Sequence, residues 1–158
     1  KILESPGPFF QCCVFKKKIL NNINNLVDTD CIPSEDWDFF INLSNKNPIV
    51  GFSNQIGFTW NLSENSQSSN LSNEAKGIFH LINKHKKIII KSCGHIMLSN
   101  HYRRIARIYE KLNDYEKINL FYRKAFFTAP YYWKNILYIL IISLGKTFSF
   151  YFINKIRK

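Results

Sequence analysis

The sequence predicts an α+β fold that is mostly helical by content, with helices filling most of 73 to 158. Three observations lead there. In Ser34-Glu35-Asp36-Trp37-Asp38-Phe39-Phe40 a capping hydroxyl is followed by first-turn carboxylates and then by apolar side chains, the order in which a helix begins. Two segments with helical apolar spacing, His101 to Leu112 and Tyr115 to Ala129, are joined by Asn113-Asp114, which suits a tight turn between helices. Charge also divides the chain: residues 1 to 75 carry 5 basic and 8 acidic side chains, and residues 76 to 158 carry 17 and 3. The two halves therefore differ in kind. With 158 residues, 46% of them apolar, the chain can bury one core, or a partial domain with a helical extension.

The first half carries a resemblance. Gly7 to Phe15 (GPFFQCCVF), Lys16-Lys17-Lys18-Ile19-Leu20, Leu26-Val27-Asp28 and Glu35-Asp36-Trp37-Asp38 resemble, in order and spacing, the acceptor-side half of a family 2 glycosyltransferase. The resemblance implies that residues 1 to 72 are the C-terminal part of a GT-A-like α/β catalytic domain. It implies a strand over 9 to 15, a basic helix, a turn at Asp28, and the Glu-Asp pair opening the next helix. Two short strands would follow within 49 to 61, from Ile49-Val50-Gly51-Phe52 and Gln55 to Trp60. Carried over by position, Asp36 is the general base and Glu35 its partner, with Trp37, Trp60 and Asn61 facing the acceptor. The implied reaction is an inverting transfer from a nucleotide sugar to a glycan or lipid-linked saccharide of a bacterial envelope pathway. A divalent Mg or Mn ion is expected in the full-length enzyme and none bound to this piece. The nucleotide-sugar donor would be held by a half that the chain lacks, so that a fragment beginning at Lys1 is expected to be inactive alone.

The residues also bear a plainer reading. Ser34, Glu35 and Asp36 are what any helix favours at its N-terminus. The helix over 34 to 45 should bury Trp37, Phe40, Ile41 and Phe39 or Leu43 at spacings of three and four, with Asp36 on an open cleft. Two departures from the family stand out. Its Arg-x-His loop is missing and would fall near Asn61 and Ser63, inside the polar run Ser63 to Asn73. Asp28-Thr29-Asp30 spells the metal-binding Asp-x-Asp motif but lies just before the Glu-Asp pair, where it reads as turn chemistry.

Residues 73 to 130 read as a helical extension. Ile78, Phe79, Leu81 and Ile82 give the segment from Asn73 to Lys91 an apolar face, and Lys84, Lys86 and Lys87 a solvated basic end. Tyr109, Tyr122, Ala125 and Pro130 fall where one tetratricopeptide-like hairpin keeps aromatic, aromatic, small and Pro residues. The run Phe-Tyr-Arg-Lys-Ala-Phe, then Ala-Pro, also resembles the tail of family 2 enzymes. Residues 131 to 158 form an aromatic and basic tail. Its apolar run, Ile136 to Leu144, is about half of the ~20 residues a spanning helix needs. Tyr131, Tyr132 and Trp133 before it, and Phe148, Phe150, Tyr151, Phe152, Lys155, Arg157 and Lys158 after it, suit an anionic membrane surface or a buried terminal helix. The expected location is the cytoplasm, with peripheral contact on the inner face of the cell membrane.

Other chemistries find less support. Cys12, Cys13, Cys31 and Cys93 contain no Cys-x-x-Cys pair, and His80, His85, His95 and His101 have no zinc spacing, so no metal ligand is assigned. The basic half could contact phosphates, but no nucleic-acid reader motif accompanies it. The alternative to an enzyme is a non-catalytic helical-hairpin module that binds a protein or an anionic membrane surface.

Overall fold

The computed structural model describes residues 1–21, 27–53, 55, 57, 59, 70–149 and 152. The chain divides into two compact units, Lys1–Leu81 and Ile82–Lys158. The first contains a 3-10 turn at Phe10–Cys12, helix α1 (Lys17–Leu20), a second 3-10 turn at Thr29–Cys31, helix α2 (Glu35–Ser44) and the first turns of α3 (Leu71–Lys111). The rest of α3, α4 (Tyr115–Thr128) and α5 (Trp133–Ser143) make the second.

Among the described residues there is no strand, and this overturns the α+β, GT-A-like expectation. Over 9 to 15 the chain is pinned locally. Cys12 N–H donates to Phe9 O at 2.9 Å and Cys13 N–H to Phe10 O at 3.1 Å, closing the 3-10 turn where a strand was expected. The Phe10 N–H goes to a side chain, the Asp36 carboxylate, at 3.1 Å. A strand exists only where a neighbour takes its backbone groups, and the helical turn at α2 takes them here. Residues 49 to 53 likewise form no strand. Ile49, Val50 and Phe52 are exposed, without the buried face that would hold a sheet in register. Residues 54, 56, 58 and 60–69, which carry the rest of the expected second strand, lie outside the described residues.

Helix α2 forms nearly where the pattern places it. Ser34 occupies the N-cap position but makes no side-chain cap bond, so the acidic first turn, Glu35, Asp36 and Asp38, is what favours the helix start electrostatically. Trp37, Phe39, Phe40, Ile41 and Leu43 are buried. Phe10 and Phe15 pack on that face, edge-on to Phe39 with centroids 4.8 and 5.2 Å away. Asp38 is buried too and accepts from Asn42 Nδ2 one turn later, at 3.0 Å.

Helix α3 starts at Leu71 rather than Asn73, with Asn70 as its cap, the Asn70 Oδ1 taking the Asn73 N–H at 3.1 Å. It runs past the expected end at Lys91 and is interrupted at Gly94, whose φ of 81° lies in the left-handed region that only glycine adopts without strain.

In the second unit the end of α3 and α4 form a helical hairpin about the expected turn, but its first helix does not begin at His101: α3 continues helical from just past Gly94 to Lys111. Asn113 turns the chain with φ 56°, and Asp114 caps α4 by accepting from the Lys117 N–H at 3.1 Å. Tyr109 stacks on Phe121 at 5.6 Å, and Tyr122 on Tyr138 of α5 at 4.3 Å. The Tyr122 hydroxyl donates to Glu110 Oε1 at 2.5 Å. Asn135 is the polar centre of this core. Its Nδ2 donates to Ala125 O at 3.0 Å and Ala129 O at 2.7 Å, capturing carbonyls at the end of α4, and its Oδ1 accepts from Arg103 at 2.6 Å. The Arg103 guanidinium is buried over the Tyr132 ring, and burial lowers its pKa from the usual range. Helix α5 stops at Ser143, and no described helix is long and apolar enough to cross a membrane. Phe150, Tyr151, Lys155, Arg157 and Lys158 lie outside the described residues.

Asp114 offers a test of the hairpin turn. Its hydrogen bonds with Lys117 hold its pKa below the usual carboxylate value, so its contribution is present at neutral pH and is lost as pH falls through the carboxylate range. Asp114→Ala is expected to cost about 1 kcal/mol in urea unfolding at pH 7, and the difference from wild type should shrink on acidification.

Candidate functional site

The N-terminus of α2 gathers the residues singled out by the sequence. Glu35 and Asp36 enter the helix after the tight stretch from Asp28 to Ser34, in which Ser34 N–H donates to Cys31 O at 2.6 Å. Asp36 is half-buried. Its Oδ2 accepts the Phe10 N–H, and no Lys or Arg among the described residues forms an ion pair with it. A carboxylate offers two oxygens, so one bond to Phe10 does not exhaust its capacity to accept a proton. Glu35, beside it, has its Oε2 covered and without a hydrogen-bond partner among the described residues. Nearby, burial pushes the Cys13 thiol up, with Cys12 and the negative charge of Asp36 adding to the rise. That keeps Cys13 protonated and poorly nucleophilic at neutral pH.

Trp37 belongs to the core. It is 2% exposed, and its indole Nε1 donates to Ile2 O at 2.6 Å. The inward-packing expectation is met. The acceptor-facing role implied by the resemblance needs an open ring face, and this geometry does not present one. Trp60 and Asn61, the other expected acceptor contacts, lie outside the described residues. The structure thus brings Glu35 and Asp36 together at one helix start and sets Trp37 behind them.

Asp28-Thr29-Asp30 is a turn. Asp28 caps the 3-10 turn, its Oδ1 accepting the Asp30 N–H at 3.1 Å. Sequence reasoning missed what surrounds it. His80, on the first turns of α3, places Nε2 3.6 Å from Asp28 Oδ2, and the thiol of Cys31 is close to both. The separation in sequence between Cys31 and His80 hid this grouping. Its mixed donors do not suit Mg or Mn, which prefer oxygen ligands alone.

In the second unit, a shallow groove brings Lys86 and Arg123 beside Tyr102, Leu120 and Phe127. Basic and apolar side chains thus line it together, with Leu120 and Phe127 exposed. No family model, curated protein or solved structure matches the chain.

The position of Trp37 makes a measurable distinction. Trp37→Ala is expected to destabilise the chain by about 3–5 kcal/mol in denaturant unfolding. A variant of unchanged stability would return Trp37 to a ligand-facing role.

Proposed function

We propose that this chain supplies the acceptor-side base of an inverting sugar transferase, with Asp36 as the base and Glu35 as its neighbour. One observation carries the reading. A half-exposed carboxylate stands in the first turn of α2, oriented by the Phe10 N–H and unneutralised by any Lys or Arg among the described residues. A base needs that combination: fixed in direction, within reach of solvent, and not tied to a cation that would hold it ionised too strongly to accept a proton.

In the proposed reaction Asp36 takes the proton of an acceptor hydroxyl as that oxygen bonds to the anomeric carbon and the nucleotide diphosphate departs. Held by a backbone donor, the carboxylate meets the hydroxyl without reorganising. The described residues provide no oxygen-only ligand set for the Mg or Mn ion of such enzymes, so no step is assigned to one here. Donor binding is proposed to reside in a nucleotide-binding portion beyond this chain, and the acceptor class is a glycan or lipid-linked saccharide.

Asp36→Asn, in a form of the protein that includes the nucleotide-binding portion, is expected to lower transfer by about 10²–10⁴-fold, the usual contribution of a positioned base. Donor-nucleotide binding should be retained, since the amide keeps the size of the side chain. Turnover near wild type would remove Asp36 from the mechanism.

A second reading, a peripheral membrane contact by residues 131 to 158, draws on a separate observation. Tyr131 is 91% exposed, and Trp133, Leu140 and Phe148 are exposed beside Lys134 and Lys146. Aromatic and aliphatic side chains mixed with cations are what an anionic bilayer surface attracts. Removing Lys155, Arg157 and Lys158 is expected to reduce sedimentation with anionic liposomes, each cation contributing about 1 kcal/mol. Binding that ignores both the deletion and added salt would point to a protein partner.

A further inference from the structure

We propose that Asp28, Cys31 and His80 form a zinc-binding site. Their ligand atoms, a carboxylate oxygen, Sγ and an imidazole nitrogen, all lie within 4.8 Å of one another. The fold brings them together by identifiable means. Asp28 and Cys31 stand at the two ends of the 3-10 turn, whose tight backbone sets their side chains side by side. The Asp30 N–H holds Asp28 Oδ1 at 3.1 Å, and Asp28 Oδ2 lies 3.6 Å from His80 Nε2. Helix α3 reaches the turn because position 77 has no side chain: a Cβ on Gly77 would sit 2.5 Å from Cys31 O and 2.6 Å from Ile32 O. His80 follows Gly77 by three residues and so lies on the same helix face.

Donor chemistry selects the ion. A thiolate, an imidazole and a carboxylate are the mixed set that zinc accepts in tetrahedral geometry, whereas Mg and Ca require oxygen ligands. Metal bonds of about 2.0–2.3 Å place tetrahedral ligands roughly 3.5 Å apart, so a contraction of about 1 Å completes the site. His80 is the ligand placed to provide it: its side chain is 43% exposed, while the Asp28 side chain is 21% exposed and Cys31 is fully buried. The buried thiol closes one side, and the exposed imidazole leaves the other open to water as a fourth ligand. The Asp30 N–H on Asp28 supplies the outer-shell hydrogen bond that orients a ligating carboxylate. A bound ion would tie the turn at 28 to 31 to the first turns of α3.

The test is a titration of the full 158-residue chain, stripped of metal by a chelator, with Co²⁺ and then Zn²⁺. One Co²⁺ per chain is expected, with a thiolate-to-cobalt charge-transfer absorption in the near ultraviolet that Zn²⁺ abolishes. Cys31→Ser should remove that absorption. His80→Gln, at a half-exposed position that folding tolerates, should weaken Zn²⁺ binding by at least about 100-fold, since even outer-shell partners cost 10–100-fold. A Cys12→Ser, Cys13→Ser, Cys93→Ser triple variant should keep the signal. Absence of the charge-transfer band in the wild-type chain overturns the proposal. So does a band that disappears in the triple variant, or Zn²⁺ affinity unchanged by His80→Gln.

Discussion

The hydrogen bond from the Phe10 N–H to the Asp36 carboxylate is the constraint on which the first unit depends. Residues 1 to 15 carry backbone donors and acceptors that need partners, and no strand among the described residues offers them. The first turn of α2 answers at two points, with Asp36 accepting from Phe10 and the Trp37 indole donating to Ile2 O. Phe10 and Phe15 are thereby laid across Phe39 and Phe40, forming an aromatic cluster of tilted and edge-on contacts. The residue proposed as a base is thus also a residue that holds its own surroundings in place. A carboxylate has more acceptor capacity than one N–H uses, so the bond to Phe10 leaves room for a further donor.

The second unit rests on a different device, a buried polar centre. Asn135 faces carbonyls of the α4 terminus on one side and the Arg103 guanidinium on the other. Arg103 also donates to Asn100 and lies over Tyr132, so amides and a ring meet its terminal nitrogens and face, while its buried Nε has no hydrogen-bond partner among the described residues. Buried polar groups of this sort are unforgiving, since a lost partner leaves the remaining atoms desolvated and unmatched. That specifies how α5 follows α4 more sharply than the stacked tyrosines can alone. Tyr115 reinforces it, donating its hydroxyl to Ile142 O at 2.7 Å.

Legibility in the sequence followed the range of the interactions involved. The start of α2, the Asn113-Asp114 turn and the inward positions Tyr109, Tyr122 and Ala125 depend on neighbours within one or two helical turns, and the sequence shows them directly. The strands expected at 9 to 15 and within 49 to 61 depended on a distant partner, which a short run such as GPFFQCCVF cannot certify. Short apolar runs are ambiguous for that reason, and here a 3-10 turn and a helix-borne carboxylate took the backbone bonds.

By itself, then, the sequence determined where α2 begins, where the chain turns at Asn113-Asp114, which helix faces there are apolar, and that its two halves differ in charge, because each follows from local spacing and composition. Tertiary structure decided the rest. It decided that the Asp36 carboxylate is oriented by a backbone N–H, that the Trp37 ring is enclosed, and that Cys31 and His80 stand together beside Asp28. The physical reason is the same each time: these contacts join residues far apart in the chain, and they exist only once burial of the apolar faces has brought those segments within a few ångströms.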